Sequence, residues 1–350
     1  MKYPNRDIVV IGGSAGGVVA LTELLSHLDA DLPAAVFVTL HVHEATSARL
    51  ASVVGEKTDL PVAFAADEQP IEPARVTLAP PGFHLLLLDD RIRLIAGPRE
   101  NLSRPAIDPM FRSAAVAYGP RVIGMVLSGM LDDGAAGLLA VRRCGGEALV
   151  QSSETAERPD MPEAAAAAAD PVFVGSPSEL AARIGELTHG PAGDSPPVPD
   201  DLLAELDFNR RALADLSRMD RFGRPAPMGC PACGGPLWVQ ENRGEERYRC
   251  HIGHAYSSLS LLEDQDRALE KSLWVALRTL EERSRLLGRL AERRVHSATG
   301  GQIAARARES QAGAESIRQV LEDLGSRTTP PTQGASRIKA TDTQRKAPGA

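Results

Sequence analysis

A serine on a glycine-rich turn, a histidine at a strand end and paired aspartates ahead of a helix are the groups whose types and spacing suit nucleophilic chemistry in this sequence. The apolar run DIVVIG leads directly into Gly12-Gly13-Ser14-Ala15-Gly16-Gly17 and then a segment of helical period. That string fits G-x-S-x-G, in which glycines permit a tight strand-to-helix turn that exposes the serine hydroxyl at the C-terminal edge of a sheet. The free N–H groups at the helix start suit an oxyanion, so Ser14 is a candidate nucleophile. The dinucleotide fingerprint needs glycines at a spacing no window supplies, and a P-loop needs Lys where Val18 stands. A generic anion-binding turn and a purely structural glycine turn stay open. A serine nucleophile needs a base, and the run VFVTL is followed by His41 and His43, which strand period alone does not separate. For the third partner, VIGMVLSGM runs into Asp132 and Asp133 at a helix start, where the bland role is N-capping.

A second cluster lies far downstream. Cys230-Pro231-Ala232-Cys233 and Cys250-His251-Ile252-Gly253-His254 pair a C-x₂-C knuckle with a C-x₃-H, a set that closes a tetrahedral site for structural Zn²⁺. Cys230, Cys233, Cys250 and His254 are the expected ligands, with His251 and a metal-free cluster as alternatives. Cys144 reads as a small buried apolar residue.

The elements that must position these groups follow from pattern. From residue 7 to about 188, short β-branched runs alternate with helical segments, the signature of an α/β fold with a mostly parallel sheet. RVTLAPPG and HLLLLDDRIRLIAG read as antiparallel strands at the sheet margin, which predicts a mixed sheet. Residues 189–200, HGPAGDSPPVPD, read as a linker between independently packed parts. Beyond it come a Cys/His region over 201–258 and helices over 259–325. Steps of three and four from Leu259 through Leu262, Asp266, Leu269, Leu273, Ala276, Leu280, Arg283, Leu287 and Leu290 give a seam apolar at eight of ten positions, suited to a helical hairpin or to self-association. Residues 326–350 read as a disordered tail.

Composition narrows the classes. The 350 residues are 43% hydrophobic, 24% charged and 4% aromatic, a globular chain of about two domains. No apolar run approaches the roughly 20 residues of a membrane span, and no signal peptide is legible, so a cytoplasmic protein with no membrane insertion and no disulfides is expected. Residues 1–200 carry a net charge of −11 and residues 201–350 one of +4, which argues against a nucleic-acid partner.

Taken jointly, GGSAGG after a first strand, His41 after the second, RPAIDPMF, SGMLDDGAAG and DMPEAA resemble, in order over residues 5 to about 188, the catalytic domain of the CheB chemotaxis protein-glutamate methylesterases. The resemblance implies a doubly wound parallel sheet with an antiparallel addition. It also implies a triad of Ser14, His41 and Asp133, backbone oxyanion donors at Ala15 and Met130, no cofactor for catalysis, and the methylated cytoplasmic helices of chemoreceptors or a related methylated protein as substrate. Glutamine deamidation by the same machinery is implied as well. A catalytically vestigial module that recognises a partner through its Cys/His and helical parts is the alternative. The family's Met-Pro after the histidine is here Val42 and His43, and its N-D-G is Asp132-Asp133-Gly134. CPACGGPLW and YRCHIGHAYS resemble an extension seen behind CheB-like domains that have no receiver domain. With no receiver expected ahead of the catalytic strand, the segment at 189–200 would let the C-terminal region fold back as a lid or targeting arm, leaving residues 1–190 active alone.

Overall fold

The computed structural model describes residues 5–42, 49–210, 219, 222–242, 245–293 and 298–328. They form two compact units, residues up to Asp266 and residues from Arg267 onward. The fold of the first unit grows from strand β1 (Ile8–Gly13), whose six residues are all buried. A strand with both faces covered carries a continuous apolar run instead of an alternating one. Ile8 and Val10 feed the core on one face, together with Phe37, Ile107, Met110 and Phe111. Val9 and Ile11 feed the core on the other, with Leu21, Leu24, Val36 and Ile184.

In chain order the elements after β1 are α1 (Gly17–Leu25), β2 (Ala35–Leu40), α2 (Leu50–Gly55), β3 (Val62–Phe64), β4 (Arg75–Leu78), β5 (His84–Leu88), β6 (Arg91–Ile95), α3 (Ile107–Tyr118), β7 (Val122–Val126), α4 (Ala135–Arg143), β8 (Glu147–Gln151), α5 (Asp160–Ala169), β9 (Phe173–Gly175) and α6 (Pro177–Thr188). Strands β3, β4, β2, β1, β7, β8 and β9 lie side by side in that order, all parallel. The chain winds outward from β1 on one side and from β7 on the other, so the β1/β7 boundary is the topological switch point, where open α/β sheets place their ligands.

The expected doubly wound sheet and the antiparallel hairpin are both present, but RVTL is not part of the hairpin. It is β4, inside the parallel sheet between β3 and β2, with Val76, Thr77 and Leu78 buried. The hairpin is β5–β6 alone, a separate two-stranded sheet turning at Asp89 and Asp90, both at positive φ. That turn type matches the right-handed twist of the strands it joins, and Asp tolerates it better than most residues. The main sheet is therefore purely parallel rather than mixed.

Past α6, helix α7 (Asp200–Arg210) leads to a four-stranded antiparallel meander: β10 (Arg224–Gly229), β11 (Pro236–Asn242), β12 (Glu245–Cys250) and β13 (Ala255–Ser257). Both belong to the first unit and are tied to it by a buried ionic cluster. Arg112 on α3 is 1% exposed and donates from Nη2 to Glu100 at 2.5 Å while its Nε faces Glu205 at 2.9 Å. Arg249 on β12 reaches Glu100 at 3.0 Å, and Arg247 reaches Asp108 at 2.7 Å. Burial opposes the charge of Glu100, but Arg112, Arg249 and Arg247 overcome it and hold that carboxyl well below the usual range.

The long helix α8 (Ser258–Glu292) and α9 (Ala298–Thr328) follow. In the second unit Leu273, Leu277 and Leu280 pack with Ala314, Ile317 and Leu321, and Arg318 pairs with Glu281, an antiparallel helical hairpin. The packed face keeps Leu273 and Leu280 of the predicted seam and departs from it elsewhere. Leu277 was not in it, while Leu269 and Leu290 are exposed. A strict heptad drifts around a 3.6-residue helix, so a seam stepped over 30 residues leaves the true contact face. No helix among the described residues is long and apolar enough to cross a membrane. Of the segment read as a tail, 326–328 continue α9 and the rest lies outside the described residues.

Replacing Arg112 with Met leaves Glu100 and Glu205 short of a buried cation. We expect a loss of about 3–5 kcal/mol of stability, read from urea unfolding of the full chain.

Candidate active site

Ser14 follows the last residue of β1. Its N–H donates to the Ser128 carbonyl at 2.9 Å, and its own carbonyl accepts from Gly17 at 2.8 Å as α1 begins. The turn depends on two glycines. Gly16, the N-cap of α1, has φ +76°, the left-handed region that a side chain resists. Gly129 touches Ser14 so closely that a Cβ there would stand 2.0 Å from Met161 Sδ and 2.9 Å from Ser14 Cβ.

His41 continues the β1–β2 register by one step, its N–H donating to the Gly13 carbonyl at 3.0 Å. Ser14 and His41 thus sit on adjacent strand ends. The imidazole Nε2 lies 2.8 Å from Asp133 Oδ2, with the histidine side chain 16% exposed and the aspartate 3%. Among the described residues this is the ring's one hydrogen bond. An ionised carboxylate only accepts, so the proton between them belongs to Nε2 and Nδ1 is left as the basic nitrogen. The alternative base, His43, lies outside the described residues.

Asp133 is held from several directions. Its Oδ2 also accepts from Ile107 N at 2.7 Å, and Oδ1 accepts from Asn101 Nδ2 at 2.9 Å and from Asp108 N at 3.3 Å. Two of these donors are the first free amides of α3, the positive end of its dipole. The arrangement is reciprocal, because Asp108 Oδ1 accepts from Gly134 N at 3.1 Å and Gly137 N at 2.7 Å where α4 begins. Each helix start binds the carboxylate presented by the other. Burial pushes the Asp133 carboxyl up, and the bonds from His41, Ile107 and Asn101 outweigh it, so its pKa falls below the usual value. Asp108 goes the other way, raised by burial and by Asp133 despite Arg247. Asp132, the extra carboxylate of the DDG string, does not reach His41. Burial raises it to about 6, against a hydrogen bond from Ser257 Oγ at 2.7 Å.

The amides of Ala15 and Met130 make no hydrogen bond among the described residues, and they flank the Ser14 turn from the start of α1 and from the loop after β7. Leu131, with φ +63°, reverses the chain between Met130 and Asp133. Ser128, which the sequence reading passed over, bridges the site's loops: its Oγ donates to Ala15 O at 2.7 Å and accepts from Arg158 N at 2.9 Å. Asn101, Asp108, Arg247 and Ser257 were also passed over. Asp108 stands inside RPAIDPMF, a string that carried the resemblance without a role attached.

In the β10–β13 meander, the ligand atoms of Cys230, Cys233, Cys250 and His254 lie within 4.8 Å of one another. Paired turns build the cluster: Gly234 N bonds Cys230 O, and Gly253 N bonds Cys250 O. His251 is not in the set; its ring packs against Gly235. Cys144 is buried, as its sequence context implied, and burial raises its thiol to about 11.

Comparison with known proteins agrees with this geometry. The model of the CheB methylesterase family matches residues 9–184, about half of the chain. A protein-glutamate methylesterase/protein-glutamine glutaminase of Xanthomonas campestris is 39% identical over 170 residues, 47% of each chain. Proteins of that name from Anaeromyxobacter dehalogenans and Methanosarcina acetivorans are 39% and 36% identical over 149 and 159 residues, 43% of this chain in both cases and 44% and 45% of theirs. The chain therefore spans about half the length of the curated relatives it matches. The crystal structure of the Thermotoga maritima CheB methylesterase catalytic domain superposes with a TM-score of 0.50 at 29% identity, covering 52% of this chain and 98% of that one. With the strand-end serine turn and the histidine-carboxylate pair at the switch point, these matches show that the chain belongs to the CheB methylesterase family.

Proposed function

We propose that this protein hydrolyses glutamate γ-methyl esters on chemoreceptor helices or a related methylated protein in the cytoplasm, with Ser14, His41 and Asp133 as its catalytic residues. The observation that carries the reading is the 2.8 Å His41–Asp133 contact on the strand end beside Ser14. Ser14 Oγ attacks the ester carbonyl carbon while its proton passes to His41 Nδ1. The tetrahedral oxyanion is received by the amides of Ala15 and Met130, and collapse expels methoxide, which takes the proton from His41 and leaves as methanol. Water, deprotonated by His41, then attacks the acyl-enzyme, restoring Ser14 and releasing the glutamate carboxylate. Asp133 holds the imidazole's tautomer and stabilises the imidazolium. A glutamine side chain would follow the same course with ammonia as the leaving group, the second activity in the relatives' names. The formed imidazole–carboxylate pair speaks against a vestigial site.

The Cys/His cluster is proposed to hold one structural Zn²⁺. Three thiols and an imidazole are the donors such sites use, and a tetrahedron with bonds of about 2.3 Å has edges of about 3.8 Å. Cys233 Sγ and Cys250 Sγ stand 3.7 Å apart. The ion's role would be to join the β10–β11 turn to the β12–β13 turn, with no part in the ester chemistry.

Three outcomes test this reading. Ser14→Ala and His41→Ala should each lower kcat on a glutamate methyl ester by about 10³-fold or more, with Asp133→Ala somewhat less damaging. His43→Ala should stay active; the reverse pattern at the two histidines would move the base to His43. Elemental analysis should find about one zinc per chain, absent from Cys230→Ser, and chelation should lower the thermal midpoint, whereas a metal-free protein of equal stability would remove the metal. Asp132 carries a raised pKa of about 6, so its contribution is most favourable at low pH and is lost as pH rises to about 6 and beyond. Asp132→Asn should therefore stabilise the protein at pH 8 by up to about 2 kcal/mol, and the gain should vanish below about pH 4.

A further inference from the structure

We infer that the Cys/His meander is a positioning element of the catalytic site, acting through Asn101, which orients the Asp133 carboxylate. Asn101 occupies a tight turn in which it and Leu102 both have positive φ, 45° and 68°, a left-handed conformation that Asn tolerates and that Leu holds at a cost the surroundings must offset. The meander supplies contacts that do so. Asn101 N donates to Ala255 O at 2.9 Å, and Ala255 N returns a bond to Arg99 O at 3.3 Å.

The carboxamide has one orientation that satisfies all its neighbours. Its carbonyl accepts from Ser257 N at 3.0 Å and Ser260 Oγ at 3.1 Å, both beyond the Cys/His motif. That turns the NH₂ group toward two acceptors, Asp133 Oδ1 at 2.9 Å and Asp108 Oδ2 at 3.0 Å. Two buried carboxylates sharing one amide would repel each other, and β12 brings the compensating cation, Arg247, to Asp108 at 2.7 Å. Ser257 Oγ adds a bond to Asp132 at 2.7 Å. The chain of contacts from meander to imidazole is thus Ser257 and Ser260, then Asn101, then Asp133, then His41.

The turn that sends β12 into β13 carries Cys250 and His254, with Cys250 N bonded to His254 O at 3.0 Å, and Ala255 is the next residue. The metal-ligand turn therefore abuts the strand that clamps Asn101. These contacts favour the opposite of a detachable lid: residues 1–190 by themselves lack Arg247, Ser257 and Ser260.

This inference rests on the esterase reading, and its test separates the two. Asn101→Gly keeps the positive φ available while deleting the carboxamide. In the full chain, kcat on a short peptide bearing a glutamate γ-methyl ester should fall about 10–100-fold with KM little changed, the cost of a misdirected imidazole. The downfield proton resonance of His41 Nε2–H should shift or broaden. Ser257→Ala combined with Ser260→Ala, which leaves Asn101 and Asp133 in place, should move both readouts the same way by a smaller amount. An unmoved His41 resonance in Asn101→Gly, or a loss confined to KM, overturns the positioning role. A resonance that moves in a protein whose wild type releases no methanol sustains the positioning role and removes the esterase reading instead.

Discussion

A carboxylate that is 3% exposed keeps its charge only if each oxygen is paid back in hydrogen bonds, and Asp133 is the group on which this site depends. Four donors converge on it: the His41 imidazole, the Asn101 amide and two backbone N–H groups at the start of α3. Removing that charge would leave the imidazole without a fixed tautomer and the first turn of α3 without its anion. The same constraint explains Asp108, since an anion near Asp133 is tolerable only with a helix start and a guanidinium of its own. The two loops and the two helix starts are locked together by this exchange of carboxylates.

The exchange also decides how the C-terminal part relates to the parallel sheet. Within residues 1–188 the buried cluster holds Glu100, Asp108 and Asp133 against Arg112. Arg247 and Arg249, from β12, bring two further cations, and Glu205 from α7 one further anion. Charges buried this deeply require partners, and breaking one contact strands the other member. The meander is therefore attached through the ionic balance of the parallel-sheet part, with Arg249 also stacked over Phe208 and Phe222.

Placement at the switch point follows from winding. β1 and β7 are neighbours whose following helices lie on opposite faces of the sheet, the reversal that makes their carboxyl ends a switch point. Ser14 comes from one loop and Met130 to Asp133 from the other, while His41 arrives on the next strand over. Gly129 permits the two loops to touch where any side chain would force them apart. Rigid strands beneath and glycines above place the serine, the histidine and the carboxylate on one edge.

What the sequence determined by itself was local. The buried strand, the glycine turn around Ser14, the hairpin at Asp89 and Asp90, and the two Cys/His knuckles are each written in fewer than about 20 contiguous residues, because apolar period and turn chemistry act between near neighbours. Histidine and aspartate candidates were legible at strand ends, but spacing held Asp132 and Asp133 equal until the resemblance chose between them. Only the tertiary structure brought Asp133 to His41, placed RVTL inside the parallel sheet, and added Leu277 to the helical contact face, while the choice of His254 over His251 was already the sequence's expectation. Asn101 and Arg247 stand in no motif, and Ser257 closes the string YRCHIGHAYS without a role that spacing could assign. Their hydrogen bonds join residues more than 130 positions apart, Arg247 to Asp108 and Ser257 to Asn101, and a contact closed by the fold imposes no period and no composition on the chain around it.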